Sequence, residues 1–393
     1  MRMGTGHAIR MVAAATSLFA WGCGGSKPAT ALQALPDPSR AAHSGPAAAV
    51  ADAAPPAPSS PDLGNSQVSP VGDTVPLQFI YVIHGDAGYS YYGRDGKRRQ
   101  ADEEAVAQAK TVAREAGDAQ VFLFHQRPHR FLGMVPADDG LMRLYRNGKL
   151  AGSEKYARSG TRDAMQAEGE LYRKYASPAR HRIFLYFGHE IPADSAPASR
   201  PYSRSKPRLA FNLASFTEAV HGFGPGLRPD AKPFDLLVLS TCHGGTAAVT
   251  SALAPYADFL LASPGDLHLT YLDSRASVRL VRERPLSADA NVESWGKTLA
   301  SDSFAQLCEN TATSVTVALY ETDKAAAYLQ AHRDAWAGAP GAAGASGDAY
   351  RDCAAIPGFG PGGLEAGVTL LYRAPLFGAD KGKTFQSGWE CAL

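Results

Sequence analysis

Two short apolar runs constrain this chain more than anything else in it. The first, Ile183-Phe184-Leu185-Tyr186-Phe187-Gly188, ends at His189. The second, Phe234-Asp235-Leu236-Leu237-Val238-Leu239-Ser240-Thr241, ends at Cys242. Runs of this length, apolar throughout and bounded by turn residues, read as buried strands of a parallel sheet. Such strands deliver whatever follows them to the carboxyl edge of the sheet, where open α/β folds place their ligands.

The remaining pattern alternates. Leu77 to Ile83, Gln120 to Phe124, Asp258 to Ala262, Ser314 to Tyr320 and Gly367 to Tyr372 read as further strands. Between them Asp102 to Ala116, Asp163 to Tyr175, Leu209 to Val220, Thr246 to Leu253, Ser301 to Glu309 and Asp323 to His332 have helical character. The first helix begins with Asp102, Glu103 and Glu104, which suit the positive end of its dipole, and Gly117 stops it. Gly140 to Tyr156 reads as a hairpin turned at Asn147-Gly148. Strands alternating with helices predict an α/β fold, a three-layer sandwich around a mostly parallel sheet.

The ends of the chain read differently. Arg2 and Arg10, an apolar core from Met11 to Trp21, and then Gly22-Cys23-Gly24-Gly25 predict a signal segment over residues 1–22. Cys23 is either the lipid-bearing first residue of a lipoprotein, the reading preferred here, or part of an ordinary secretory signal. Residues 24–75 are Ala, Pro, Ser and Gly with almost nothing to bury, so residues 23–75 read as an anchor and tether and residues 76–393 as the folded domain. The expected location is the cell envelope, facing periplasm or surface, or secretion outright. Such a compartment permits disulfides. With Cys23 lipidated and Cys242 free, one bridge fits among Cys308, Cys353 and Cys391, and Cys353 with Cys391 is the pairing expected. A net charge of +1 gives no reason to expect nucleic acid as a partner.

The chain between His189 and Cys242 is several times longer than the roughly dozen residues a parallel crossover needs. The two strands can therefore lie side by side and their end residues can meet. A cysteine beside a histidine is the equipment of nucleophilic acyl transfer: the sulfur attacks a carbonyl carbon, and the imidazole orients the thiol and protonates the leaving amine. Backbone N–H groups at the turn can hold the oxyanion. Gly244 and Gly245 would admit close approach of substrate, and a helix starting just after Cys242 would favour the thiolate.

The order strand-His then strand-Cys resembles the caspase-like cysteine peptidases, and most closely the clostripain family. Leu171-Tyr172-Arg173-Lys174-Tyr175, Pro178 and the run to His189 are similar to its histidine block. Phe234-Asp235 through Cys242 is similar to its cysteine block, and Tyr256 to Pro264 to the strand and loop beyond. The resemblance spans about Leu77 to His332. It implies a caspase/hemoglobinase-like fold, a peptide or protein substrate, catalytic His189 and Cys242, an oxyanion hole from the backbone of Glu190 and Cys242, and substrate contacts at Ser240 and Ser263. It implies no metal or cofactor beyond the calcium to which some relatives respond, and the sequence holds no dedicated calcium loop. Two positions depart from the family: Glu190 stands where it has Gly, and Ser240 where it often has an acid that selects basic side chains. They motivate the alternative of an inactive peptidase-fold binding module.

Other residues read as structural. His243 is expected to point away from Cys242. His84-Gly85-Asp86 is a loop turn or a rim group. His125 and His129 with Arg127 and Arg130 read as a solvated loop, and Arg98, Arg99, Arg143, Arg146 and Lys149 as surface charge. A third functional reading, an α/β-hydrolase with a cysteine nucleophile, would need His332 as its base.

Overall fold

The computed structural model describes residues 74–85, 90–92, 98–127, 140–157, 165–191, 212–224, 231–267, 274–282, 291–337, 350–360 and 364–392. In chain order the elements are β1 (Val75–His84), β2 (Ser90–Tyr92), β3 (Arg98–Gln100), α1 (Ala101–Glu115), β4 (Gln120–Gln126), β5 (Gly140–Arg146), β6 (Lys149–Tyr156), α2 (Gln166–Tyr175), β7 (Ala179–Glu190), α3 (Leu213–His221), β8 (Phe234–Cys242), α4 (Ala247–Leu253) and β9 (Ala257–Ala262). There follow α5 (Ser274–Arg282), α6 (Val292–Asn310), β10 (Val315–Glu321), α7 (Thr322–Ala331), α8 (Arg333–Ala337), β11 (Tyr350–Asp352), β12 (Val368–Arg373) and β13 (Glu390–Ala392).

Nine strands form one sheet in the order β12-β10-β9-β8-β7-β1-β4-β5-β6. The central strands β9, β8, β7, β1 and β4 run parallel. The outer strands on both sides are antiparallel. The continuous apolar runs are central because a strand buried on both faces needs apolar residues at every position. β5 alternates between buried and half-buried positions, the edge strand β6 is mostly exposed or half-buried, and the two are joined at Asn147 (φ 52°) and Gly148 (φ 70°), the paired positive φ values of a tight hairpin.

Helices cover both faces. One core packs α1, α5 and α6 against Phe79, Leu123, Leu185, Val238 and Cys242. The other packs α2, α3, α4 and α7 against Ile80, Phe124, Tyr186 and Leu239. Alternation along each strand sends neighbouring residues to opposite cores, which is the three-layer α/β arrangement the sequence implies.

The chain after α8 returns to the sheet. Cys353 and Cys391 are joined, tying β11 and β13 together as expected. Trp389, fully buried, packs on Tyr320 and Tyr328. Residues 1–73, with the signal segment, Cys23 and the tether, lie outside the described residues. Among the described residues no helix is long and apolar enough to cross a membrane.

Candidate functional site

The strands carrying His189 and Cys242 are immediate parallel neighbours. Their ladder runs regularly from Ile183–Leu236 to Phe187–Ser240, then slips, and the next register partners are Glu190 and Cys242. The irregularity is a bulge in β7, of the kind that re-aims chain at a sheet edge. Its backbone brings the His189-Glu190 pair level with the end of β8. No segment lies between them.

Gly188 sits inside this bulge. A Cβ there would collide with the hydroxyl of Tyr186, which curls back under the strand end. That hydroxyl is 3.4 Å from His84 Nδ1 at the end of β1. His84 Nε2 is 3.3 Å from Glu168 Oε1, to which Tyr156 also donates at 3.0 Å. Glu168 is fully buried on α2. His84 is thus a buried member of a polar network beneath the rim rather than a loop turn. Asp86 lies outside the described residues.

On the Cys242 side, the Leu267 N–H points at the sulfur at 3.4 Å. Cys242 is buried. It does not start a helix. The turn His243–Gly245 separates it from Thr246, which caps α4 by accepting from the Val249 N–H. The turn is built for its own packing. Gly245 donates to Ser263 O, and a Cβ on it would lie 2.8 Å from Pro264 N and against the Tyr320 hydroxyl. The glycine therefore admits protein, where substrate was expected.

His243 holds a left-handed backbone conformation (φ 54°), unusual for a side chain other than glycine or asparagine. Its ring bridges two carboxylates, Nδ1 to Glu390 Oε2 at 2.9 Å and Nε2 to Asp266 Oδ1 at 3.2 Å. Burial alone would lower its pKa, but Asp266 and Glu390 outweigh that and push it up to about 10. The imidazolium is therefore permanent at neutral pH and fastens the turn after Cys242 to β13. This agrees with the structural role read for it. The sequence had no means of showing Glu390 as a partner.

Ser240 shares the face of Cys242 and is buried; Ser263 is fully buried, and its carbonyl takes the Gly245 N–H. His332 ends α7, which packs on the face opposite Cys242, with its ring against Tyr328 and Phe359. That removes the base an α/β-hydrolase would need. His125 is not in a solvated loop: it lies inside β4, buried, 3.0 Å from Asp102 Oδ2 on α1. His129 and Arg130 lie outside the described residues. Arg143 and Arg146 are half-buried, and Arg146 donates to Tyr175 O. Among the described residues no cluster of His, Cys, Asp and Glu could hold a metal ion.

No family model matches the chain, and no curated protein does. Solved structures do. A secreted C11 cysteine protease from Bacteroides thetaiotaomicron, in complex with an irreversible peptide inhibitor, is similar over 66% of this chain and 69% of its own, at 12% identity and TM-score 0.44. A second structure of a secreted C11 cysteine protease from that organism, iotapain, covers 66% and 71%, at 11% identity and TM-score 0.44. An inactive zymogen C11 protease from Parabacteroides distasonis covers 68% of each chain, at 12% identity and TM-score 0.39. C11 is the clostripain family.

Proposed function

We propose that this chain is a cysteine endopeptidase in which His189 and Cys242 form the catalytic dyad. The observation that carries the reading is the backbone juxtaposition at the carboxyl ends of β7 and β8, where Glu190 is the register partner of Cys242. Reduced Cys242 passes its thiol proton to His189 and, as thiolate, attacks the scissile carbonyl carbon. The oxyanion takes hydrogen bonds from the backbone N–H groups of Glu190 and Cys242. His189 protonates the leaving amine, the C–N bond breaks, and a thioester remains. Water, deprotonated by His189, then hydrolyses the thioester and restores the thiol. No metal or cofactor has a part in this scheme. In this scheme Ser240 and Ser263, both buried in the free chain, are assigned the substrate side chain before the scissile bond. Delivery to the cell envelope, through lipid on Cys23 or by plain secretion, completes the proposal.

A second reading, a peptidase fold that binds without turnover, draws on Glu190 at the oxyanion position and on Ser240 where an acid would select basic side chains. A peptide-library digest in the presence of a thiol reductant separates the two. Cleavage by the native chain that Cys242→Ala loses supports the peptidase. Binding without cleavage under reduction supports the module.

A further inference from the structure

A concave site lies on the sheet face that carries Cys242, at the same edge. Helix α1, the end of β4 and strand β5 enclose a cleft of about 560 Å³ lined by Lys110, Arg114, His125, Arg127 and Arg143, with Glu103 at its wall. Register pairs Leu123 with Arg143 and His125 with Leu141, so both basic side chains face α1. β4 stands three strands from β8, roughly 15 Å at the usual strand spacing.

Among the described residues lining this cleft, basic side chains outnumber the one carboxylate, Glu103. Among the described residues Lys110, Arg114, Arg127 and Arg143 make no ion pair. Lys110 and Arg114 are one helical turn apart, a spacing at which like charges repel. Burial, then Arg143 and Arg114, push the Lys110 ammonium pKa down; burial and the facing Arg127 push Arg143 down. Arg143 Nη1 is buried with no hydrogen-bond partner. A buried guanidinium N–H left unpaired costs stability, and a guanidinium fork is shaped for a planar pair of oxyanion oxygens. The one buried carboxylate nearby, Asp102, is spent on His125.

We propose that this cleft is a binding site for a small multivalent oxyanion of the phosphate or phosphomonoester class, gripped by Arg143 and Lys110. The volume is that of a small-molecule site.

The test uses inorganic phosphate and pyrophosphate on the full chain carrying Cys242→Ala, at constant ionic strength set with sodium chloride. Thermal unfolding and titration calorimetry are the readouts, so the result does not depend on peptidase activity. Pyrophosphate should raise the unfolding temperature saturably. Arg143→Gln and Lys110→Gln should each weaken its binding about tenfold or more. Both variants should also unfold at the same or higher temperature without anion, because repulsion is relieved; a purely structural role predicts the opposite. The proposal is overturned if neither anion stabilises beyond chloride, or if stabilisation is undiminished in Arg143→Gln. It is equally overturned if a glutamate-rich peptide binds there and pyrophosphate does not.

Discussion

His243 Nδ1 lies 2.9 Å from Glu390 Oε2, joining the residue after Cys242 to the last strand of the chain. The pair, with Asp266 on the other ring nitrogen, keeps the turn in a backbone conformation that costs about 1–2 kcal/mol for an ordinary side chain. His243→Leu should destabilise the fold by roughly 2–4 kcal/mol at pH 7, since it strands a buried carboxylate. The folded pKa, about 10, is above the unfolded value of 6.5, so the stabilisation is complete below pH 6.5 and is lost as pH rises to 10. Denaturant melts of both proteins from pH 6 to 10.5 should therefore converge at the alkaline end. A constant gap across that range would contradict the ion-pair account.

The bulge in β7 leaves no room for a side chain at Gly188. Gly188→Ala forces the Tyr186 hydroxyl from its place beside His84. The expected cost is about 1–3 kcal/mol in stability, the usual penalty of overpacking. Turnover should fall further than stability alone explains, because the shift is one residue from His189. Urea melts and single-turnover rates on the same samples check this.

Gly245 answers to a comparable limit from backbone. Pro264 N would stand 2.8 Å from an added Cβ, and backbone cannot rotate away. Gly245→Ala should therefore destabilise by about 1–3 kcal/mol. Tyr320→Phe, which enlarges that space and leaves the Gly388 carbonyl without its 2.6 Å donor, should cost about 1–2 kcal/mol by itself. Combined, the two losses should be less than additive, measured in a double-mutant cycle.

Cys353 and Cys391 close a loop of 38 residues. Chain-entropy arguments put the stabilisation at about 4 kcal/mol. Replacing both by serine should lower the midpoint of chemical unfolding accordingly and loosen Glu390 with it, so the alkaline sensitivity attached to His243 should also diminish.

The sheet was largely legible because its central strands are apolar at every position, and that signal survives without any partner. The second functional strand, Phe234 to Cys242, has the bounds the sequence implies. Signals failed where structure depends on distant chain. Helix α6 begins at Val292, well before Ser301, because Asn291 caps it and Trp295 and Leu299 pack on the sheet. The short strands β2, β3, β11 and β13 carry no periodicity long enough to read. Asp102 looked like dipole chemistry at a helix start, yet its buried carboxylate serves His125 23 residues on. Arg143 sits in an alternating strand whose basic residues resemble a wet face, and only the packing of α1 over β5 encloses it. Nothing local marks Glu390 as the partner of His243.

The dyad itself is tested most directly by trapping the acyl-accepting sulfur. The reduced chain is mixed with an electrophilic peptide ketone, and the labelled tryptic peptide is found by mass spectrometry as a function of time. Burial pushes the thiol of half-buried Cys308 up, making it the slow internal reference. Label should appear first on the Cys242 peptide, and His189→Ala should slow that labelling by about 10²-fold or more. Equal rates at Cys242 with and without the His189 imidazole, or label on Cys308 alone, would contradict it.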